Sequence, residues 1–288
     1  MQTKLLFIGF MILLSACSGT KEPVLVLNNA PPPDYTISNV LKENYVQKTY
    51  LYLIGRAPSA AEYNAAFSIL SQNNCSVGDR TQLLTALMQQ NGYLLRQLAI
   101  EKNDILPAVV QGNIDYTINY LTQESTDTSY ITYWHIIIKR LNKMRLLNTV
   151  GQKYAQKEIT HTQMQRILCD NLLFEYERGG GKSWAIFCFG YFTLRKPTLE
   201  EEEQCNDMYY GYVSSLFLQQ GESADDLMGI FFGSDAYFAG QIRTLFKRYL
   251  YREPTEQELF GYTELYKSGA EYASIQKKLM LTNEYLGI

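Results

Sequence analysis

The stretch Arg252-Glu253-Pro254-Thr255-Glu256-Gln257-Glu258 carries a pattern, Arg-x-Pro-Ser/Thr-x-x-Glu, that also occurs at residues 56–62 and 195–201. In each copy a helix-like apolar segment precedes the Arg and another follows the Glu. The pattern therefore marks a corner between two helices, and its recurrence predicts a protein built on a helical repeat. Such a repeat indicates how the protein is built, but not which ligand or reaction it serves.

Each residue of the pattern has a local task at such a corner. Pro disfavours helical geometry in the residue before it, so the first helix ends there. Ser or Thr caps the second helix, and the Glu three residues later completes a capping box. The Arg, at the negative end of the first helix, is expected to bond its last carbonyls. The residues concerned are Arg56, Pro58, Ser59 and Glu62; Arg195, Pro197, Thr198 and Glu201; and Arg252, Pro254, Thr255 and Glu258.

The three Arg residues also admit a functional interpretation, since Arg is enriched among the residues that dominate binding energy at interfaces. We treat the corners as structural first and as candidate docking residues second.

Helical periodicity continues through the rest of the chain, and period-two alternation never persists. This predicts an all-α fold of tandem helical hairpins in one or two compact subdomains. We expect a first helix over residues 38–55, a helix with a capping box at Asp79, and a later helix over 160–173. His135 lies in an apolar helical run, so we expect it in the core.

The clearest amphipathic stripe follows Thr198, and we expect this helix to continue until Gly221 ends it. Two consecutive aromatic pairs, Tyr209-Tyr210 and Phe231-Phe232, cannot both face one core from a single helix, so one member of each is expected on a contact surface. The stripe consists of Cys205, Met208, Tyr209, Tyr212, Val213 and Leu216.

Composition excludes some classes of protein. A hydrophobic content of 46% in 288 residues is typical of a globular chain with a sizeable core. The net charge of -3 provides no basic field for a phosphate backbone, so we expect no nucleic-acid partner.

The N-terminus resembles an export signal. Lys4 precedes an apolar run, residues 5–14, that is too short to span a bilayer as a stable helix. The run ends in Leu14-Ser15-Ala16-Cys17, which resembles the lipobox of bacterial lipoproteins residue for residue. The alternative is an ordinary secretory signal that contains a Cys.

The lipoprotein resemblance implies that Cys17 becomes the first mature residue and carries fatty acids, palmitate among them. Ser18 at the next position implies the outer membrane of a Gram-negative cell, while the periplasmic or surface facing stays open. Each buried methylene contributes about 0.8 kcal/mol, so several acyl chains would anchor the protein firmly.

These signals predict four segments. Residues 1–16 form the signal peptide, and 17–35 form an acylated Cys with a Pro-rich tether. Residues 36–178 form a helical subdomain with the first repeat, and 179–288 form one with the second and third repeats. The Gly-rich stretch 179–181 is the expected boundary.

Four cysteines remain besides Cys17: Cys75, Cys169, Cys188 and Cys205. No pair has CxxC spacing, so buried free thiols are favoured over a single disulfide, which an exported protein would permit.

Other chemical motifs are weak. Gly179-Gly180-Gly181-Lys182-Ser183 lacks the first Gly of a phosphate-binding loop and follows a helix rather than a strand. The acidic run 200–203 lies in the first turn of a helix, where carboxylates favour the positive end of the dipole. His135 and His161 lack metal ligands at the usual spacing. We expect no catalytic residues, metal or cofactor, and hence no enzyme.

The segment 249–285 resembles the short helical repeat shared by phycobilisome linker proteins and a bacterial domain of unknown function. In that repeat a helix ends in a Gly-Arg-x-Pro turn and the unit closes with a Ser-x-Glu-Tyr-like end. Gly55-Arg56-Ala57-Pro58 matches the turn, whereas Leu194 and Tyr251 replace the Gly in the other copies. Thr282-Asn283-Glu284-Tyr285 matches the end.

The repeat resemblance implies a helical connector rather than a catalyst. Together with the anchor it predicts a membrane-bound docking lipoprotein, an accessory subunit of an outer-membrane complex whose partner is another envelope protein such as a β-barrel. The alternative is a glycan- or peptide-binding lipoprotein of an uptake system.

Overall fold

The computed structural model describes residues 36–127 and 132–288. Their regular structure consists of fifteen α-helices, one π-helical turn and a short β-hairpin, so the predicted all-α class is confirmed. No helix among these residues is long and apolar enough to cross a membrane. The predicted signal peptide, Cys17 and the tether lie outside the described residues.

The helices are α1 (Asn39–Leu53), α2 (Ala60–Ser71), α3 (Val77–Met88), α4 (Asn91–Ile105), α5 (Gln111–Glu124), α6 (Trp134–Ala155), α7 (His161–Cys169), α8 (Leu172–Arg178), α9 (Lys182–Cys188), α10 (Leu199–Tyr209), α11 (Ala224–Phe232), α12 (Asp235–Leu250), α13 (Glu256–Lys267), α14 (Tyr272–Met280) and α15 (Asn283–Leu286). The π-helical turn Phe189–Thr193 follows α9, and the strands β1 (Ser214–Leu216) and β2 (Gln219–Gly221) follow α10.

Two clusters of buried apolar side chains stabilise residues 37–288, which form one compact unit. The central core contains buried residues between 105 and 237. The terminal core joins residues 45–93 to residues 242–286, so the first and third repeats share one interior. The buried cores therefore do not divide at 178/179, where the sequence suggested a subdomain boundary.

Hydrogen bonds connect helices near the beginning of this unit to helices near its end. The hydroxyl of Tyr45 donates to the carbonyl of Met280 at 3.0 Å, and both groups are buried. The buried guanidinium of Arg80 donates to the Thr282 carbonyl at 3.0 Å and to Asn283 Oδ1 at 3.1 Å. A charged donor in the core requires such acceptors, so Arg80 fixes the position of the last helix.

Helix α10 is shorter than the sequence suggests. It ends at Tyr209, and Gly211, two residues later, has a φ of +90°. The Gly211 N–H bonds the Met208 carbonyl at 3.1 Å, and the Tyr212 N–H bonds the Asp207 carbonyl at 2.9 Å. This is a Schellman motif, and it satisfies the last carbonyls of the helix. The expectation of a helix as far as Gly221 was wrong.

A β-hairpin occupies the place of the missing helix. Strand β1 pairs with β2 in antiparallel register, with Leu216 opposite Gln219. The two turn residues, Phe217 and Leu218, have φ values of 51° and 65°. Positive φ at both positions is what a type I′ turn requires.

Two capping assignments also change. The box assigned to Asp79 belongs to Ser76, whose hydroxyl caps α3 while Asp79 supplies the third-position carboxylate. The helix expected over 160–173 breaks after Cys169, because Asn171 caps a new helix through its side-chain oxygen and the Phe174 N–H at 2.9 Å.

Burial differs from expectation at two places. Phe231 and Phe232 are both buried, because α11 is enclosed on more than one face: the Phe231 ring lies 5.2 Å from Trp184 and the Phe232 ring 5.2 Å from Tyr237. His135 is exposed at the start of α6, and His161 is the buried histidine.

Candidate functional sites

The three corners have the same geometry. The guanidinium of each Arg forms two hydrogen bonds with the capping Glu, at 2.7 and 2.7 Å for Arg56, 2.7 and 2.6 Å for Arg195, and 2.8 and 2.8 Å for Arg252. Glu62, Glu201 and Glu258 each accept the N–H of the cap residue at 2.8 Å. The three capping boxes predicted from the sequence are therefore present.

The expected role of the Arg residues was wrong in detail. Each one bonds the capping carboxylate and the carbonyl of the next residue, Ala57, Lys196 or Glu253, instead of the last helical carbonyls. An Arg six residues before the Glu is the sequence signal for this pair. Because each guanidinium is already hydrogen-bonded within the protein, these residues are better suited to structure than to docking.

The residue before each Arg adopts a left-handed backbone conformation. Gly55 has a φ of 84°, Leu194 of 58° and Tyr251 of 56°. The replacement of Gly in the second and third copies therefore leaves the turn geometry unchanged. For a residue with a side chain this conformation costs roughly 1–2 kcal/mol.

Four exposed apolar side chains lie at the turn of the β-hairpin or directly before its first strand, and we call them the hairpin patch. Its members are Tyr210, Tyr212, Val213 and Leu218. Leu218, at the turn, is fully exposed (103%), and Tyr212 is 67% exposed. The sequence placed Tyr212 and Val213 in a buried stripe, so the structure identifies a surface that helical periodicity concealed.

Charged side chains of both signs lie near the hairpin patch, since Lys139, Arg140 and Lys143 line the same surface depression as Tyr210. Glu200, Glu202, Glu203 and Asp207 lie on α10, and Glu222 directly follows β2. Glu203 is paired with Lys182. Lys139 and Lys143 pair with Asp225, and Arg140 lies 3.8 Å from Glu175, so the charges near the patch have no single sign.

A second candidate site is a cavity of about 370 Å³, which we call the aromatic pocket. Its mouth lies between the α6–α7 connection, with Lys157 and Glu158, and the α13–α14 connection, with Gly269 and Glu271. The walls are largely apolar and are contributed by seven helices and these connections. The aromatic wall residues are Tyr93, Tyr154, Phe238, Tyr266 and Tyr272.

His161 also lines the aromatic pocket, but its polar atoms face the protein. Its ring stacks on Tyr272 with centroids 3.8 Å apart and planes 6° from parallel. Nδ1 lies 3.0 Å from the Tyr154 hydroxyl, and Nε2 lies 3.5 Å from Glu101 Oε1. Since burial raises the pKa of Tyr154, its hydroxyl stays protonated and can donate to Nδ1.

Glu101 is a buried carboxylate behind the pocket wall. Burial raises its pKa, but hydrogen bonding and electrostatic interaction with His161, and hydrogen bonding to Gln165, lower it more, so the net pKa lies below the ordinary value. The Tyr191 hydroxyl donates to Glu101 Oε2 at 3.2 Å. A carboxylate held in this way orients His161 and does not reach the cavity as a catalytic base.

The four cysteines of the described residues are buried free thiols, as the sequence favoured. Burial raises the pKa of each thiol, that of Cys205 to about 12. All four are therefore protonated at neutral pH and unreactive as nucleophiles.

The Gly-rich stretch 179–181 packs against α10. A Cβ on Gly180 would lie 2.6 Å from the Tyr209 ring, and one on Gly181 would lie 2.4 Å from Asn206 Oδ1. Helix α8 precedes the stretch where a phosphate-binding loop needs a strand. Within residues 36–127 and 132–288, no group of three or more His, Cys, Asp or Glu side chains could hold a metal ion.

These features define a helical protein with three structural corners, an exposed apolar patch at the β-hairpin and an aromatic pocket. No protein-family model matches the chain, and neither the curated proteins nor the solved structures contain a match.

Proposed function

We propose that this protein is a docking lipoprotein, anchored to the outer membrane through acylated Cys17 and bound to another envelope protein through the hairpin patch. The observation that carries the docking role is Leu218. A fully exposed Leu in a left-handed backbone conformation is unfavourable for an isolated chain, both for its backbone and for its contact with water.

Backbone strain of this kind concentrates at functional positions. Phe217 occupies the neighbouring turn position and packs 5.8 Å from the Phe189 ring, so the hairpin is fixed to the central core. The turn therefore presents Leu218 on a rigid base. A rigid apolar tip that enters a pocket of the partner is typical of the central residues of protein interfaces.

The charged groups beside Tyr210 have both signs and are paired with one another, so the apolar side chains of the patch would carry the contact. A β-barrel of the same membrane that exposes an apolar pocket fits this requirement.

Photo-crosslinking in the native membrane tests the docking role. A photoreactive amino acid at position 218 should give one discrete adduct with an envelope protein. The same amino acid at Phe260, an apolar residue that is 70% exposed on α13, is the matched control and should give none. Equal adducts from both positions, or no adduct from position 218, would contradict docking through the hairpin patch.

The anchor is tested separately. Cys17→Ala should release the protein from the membrane fraction or leave its signal peptide uncleaved, because no acyl chain can be attached. Normal processing and membrane fractionation of this variant would contradict the lipoprotein assignment while leaving the docking role intact.

A further inference from the structure

The aromatic pocket has properties that docking through the hairpin does not require. Its volume of about 370 Å³ lies at the lower end of the range for small-ligand sites, roughly 300–1,000 Å³. Aromatic rings contribute much of its wall, and its mouth lies between two short connections. A concave, largely apolar site of this size has the form of a small-ligand site.

Most polar groups around the pocket are paired or buried within the protein. His161 Nδ1 lies 3.0 Å from the Tyr154 hydroxyl, and Nε2 is buried 3.5 Å from Glu101 Oε1 without a hydrogen bond. The hydroxyl of Thr162 lies 3.2 Å from that of Tyr266 and accepts from Tyr237 at 3.1 Å. A ligand therefore finds few unpaired donors or acceptors, and one that needed many hydrogen bonds, such as a sugar, would lose its hydration without compensation.

The rim also favours an uncharged ligand. Lys267 pairs with Asp235 at 2.6 Å, and Glu158 pairs with Lys153 at 3.4 Å. The other two charged rim residues, Lys157 and Glu271, have opposite signs. No net charge remains to compensate a buried anion or cation, and burying an uncompensated charge is costly.

We infer that the aromatic pocket binds a small, uncharged and mainly apolar molecule of one or two rings. The flat faces and edges of the Tyr rings favour a planar ring, which can stack or pack edge-to-face as aromatic pairs do. The stack of His161 on Tyr272 forms part of one wall, and the Tyr154 hydroxyl lies 3.0 Å from His161 Nδ1.

Titration calorimetry with 2-naphthol tests this inference on the full chain in detergent, with a blank titration into the same detergent. We expect saturable binding of one molecule per chain. Ala273→Phe, which fills the pocket from α14, should weaken binding at least tenfold. Ala270→Leu fills it from the neighbouring connection and should act in the same direction if Ala273→Phe fails to fold. Leu218→Gly, in the hairpin patch, should leave the affinity unchanged.

Naphthalene-2-sulfonate, which has the same rings and a negative charge, should bind at least tenfold more weakly than 2-naphthol. Absence of saturable binding, equal affinity for the sulfonate, or full affinity in both filled variants would overturn the inference. None of these results depends on the docking role, since crosslinking at position 218 reports on a different surface.

Discussion

The guanidinium of Arg252 holds the carboxylate of Glu258 through two hydrogen bonds of 2.8 Å, and the same carboxylate accepts the Thr255 N–H at 2.8 Å. Arg252 also contacts Glu284 through Nε at 2.7 Å and Nη2 at 2.8 Å. One Arg therefore connects a helix corner to α15. Arg56 and Arg195 also bond their capping Glu, but among the hydrogen bonds of the described residues neither of them contacts a second carboxylate.

The Arg252 pair predicts a loss of stability in acid. Hydrogen bonding to Arg252 is the main reason that the pKa of Glu258 falls to about 2, below the ordinary value of 4.5. A carboxyl group with a depressed folded pKa contributes stability above its unfolded pKa, and the contribution disappears as the pH falls toward the folded pKa. Its share of the free energy of unfolding should therefore decline between about pH 4.5 and pH 2.

Glu258→Gln tests this contribution. Gln can still complete the capping box but cannot titrate. Urea denaturation at two pH values, one above and one below that interval, should show a smaller loss of stability in acid for this variant than for the wild type. Glu256→Gln is the control, because Glu256 lies two residues earlier in the same first turn and takes no part in the capping box. An identical acid loss in wild type and Glu258→Gln would show that the pair does not contribute.

A close backbone approach predicts that Gly240 cannot be replaced. A Cβ at this position of α12 would lie 2.0 Å from the Phe192 carbonyl oxygen and 2.7 Å from Thr193 Cα, and neither backbone atom can move aside cheaply. Gly240→Ala should cost at least about 3 kcal/mol or prevent folding, since overpacking of this severity lies at or beyond the usual range.

Gly261, within α13, provides the matched control for Gly240. A Cβ there would meet no atom within 4 Å. Gly261→Ala should stabilise the protein by about 0.5–1 kcal/mol, because Gly loses more backbone entropy in a helix. Denaturant unfolding of both variants measures the contrast, and similar effects from the two changes would contradict the packing of α12 on the π-helical turn.

Leu218→Gly separates stability from docking. Removing a side chain that is fully exposed loses no packing, and Gly adopts the left-handed conformation without the roughly 1–2 kcal/mol cost of a larger residue. After the entropic cost of Gly, about 0.5–1 kcal/mol, the stability should be unchanged or higher. In a membrane pull-down of the identified partner, the same variant should lose binding.

Phe217→Gly is the companion control in the hairpin. Phe217 packs on Phe189 and Phe231, so its removal should destabilise the protein although its backbone is equally left-handed. A Leu218→Gly variant that is less stable than the wild type, or that still binds the partner fully, would argue against the assignment of Leu218.

The buried thiols are expected to react slowly with a disulfide reagent. Because burial raises the thiol pKa of Cys75, Cys169, Cys188 and Cys205, none should react with a disulfide reagent in the native protein at neutral pH. Unfolding in guanidinium should expose all four. Rapid reaction of any one thiol in the native state would show that it is accessible and ionised.

Local sequence signals succeeded where all partners lie within a few residues. Thr198 and Glu201 are three positions apart, and the hydrogen bonds that join them follow from helix geometry alone. The end of α10 was also locally encoded, because Gly211 can adopt the left-handed conformation of a Schellman motif. Helical periodicity outweighed that signal and assigned Tyr212 and Val213 to the interior.

The sequence by itself determined the all-α class, the three corners and most helix starts, because capping and chain reversal depend on neighbouring residues. Only the tertiary structure decided that the first and third repeats share a core, that His161 rather than His135 is buried, and that Leu218 is exposed. These outcomes depend on contacts between residues far apart in the chain, such as Arg80 with Thr282. Helical periodicity indicates that a residue has a buried side but not which distant helix covers it.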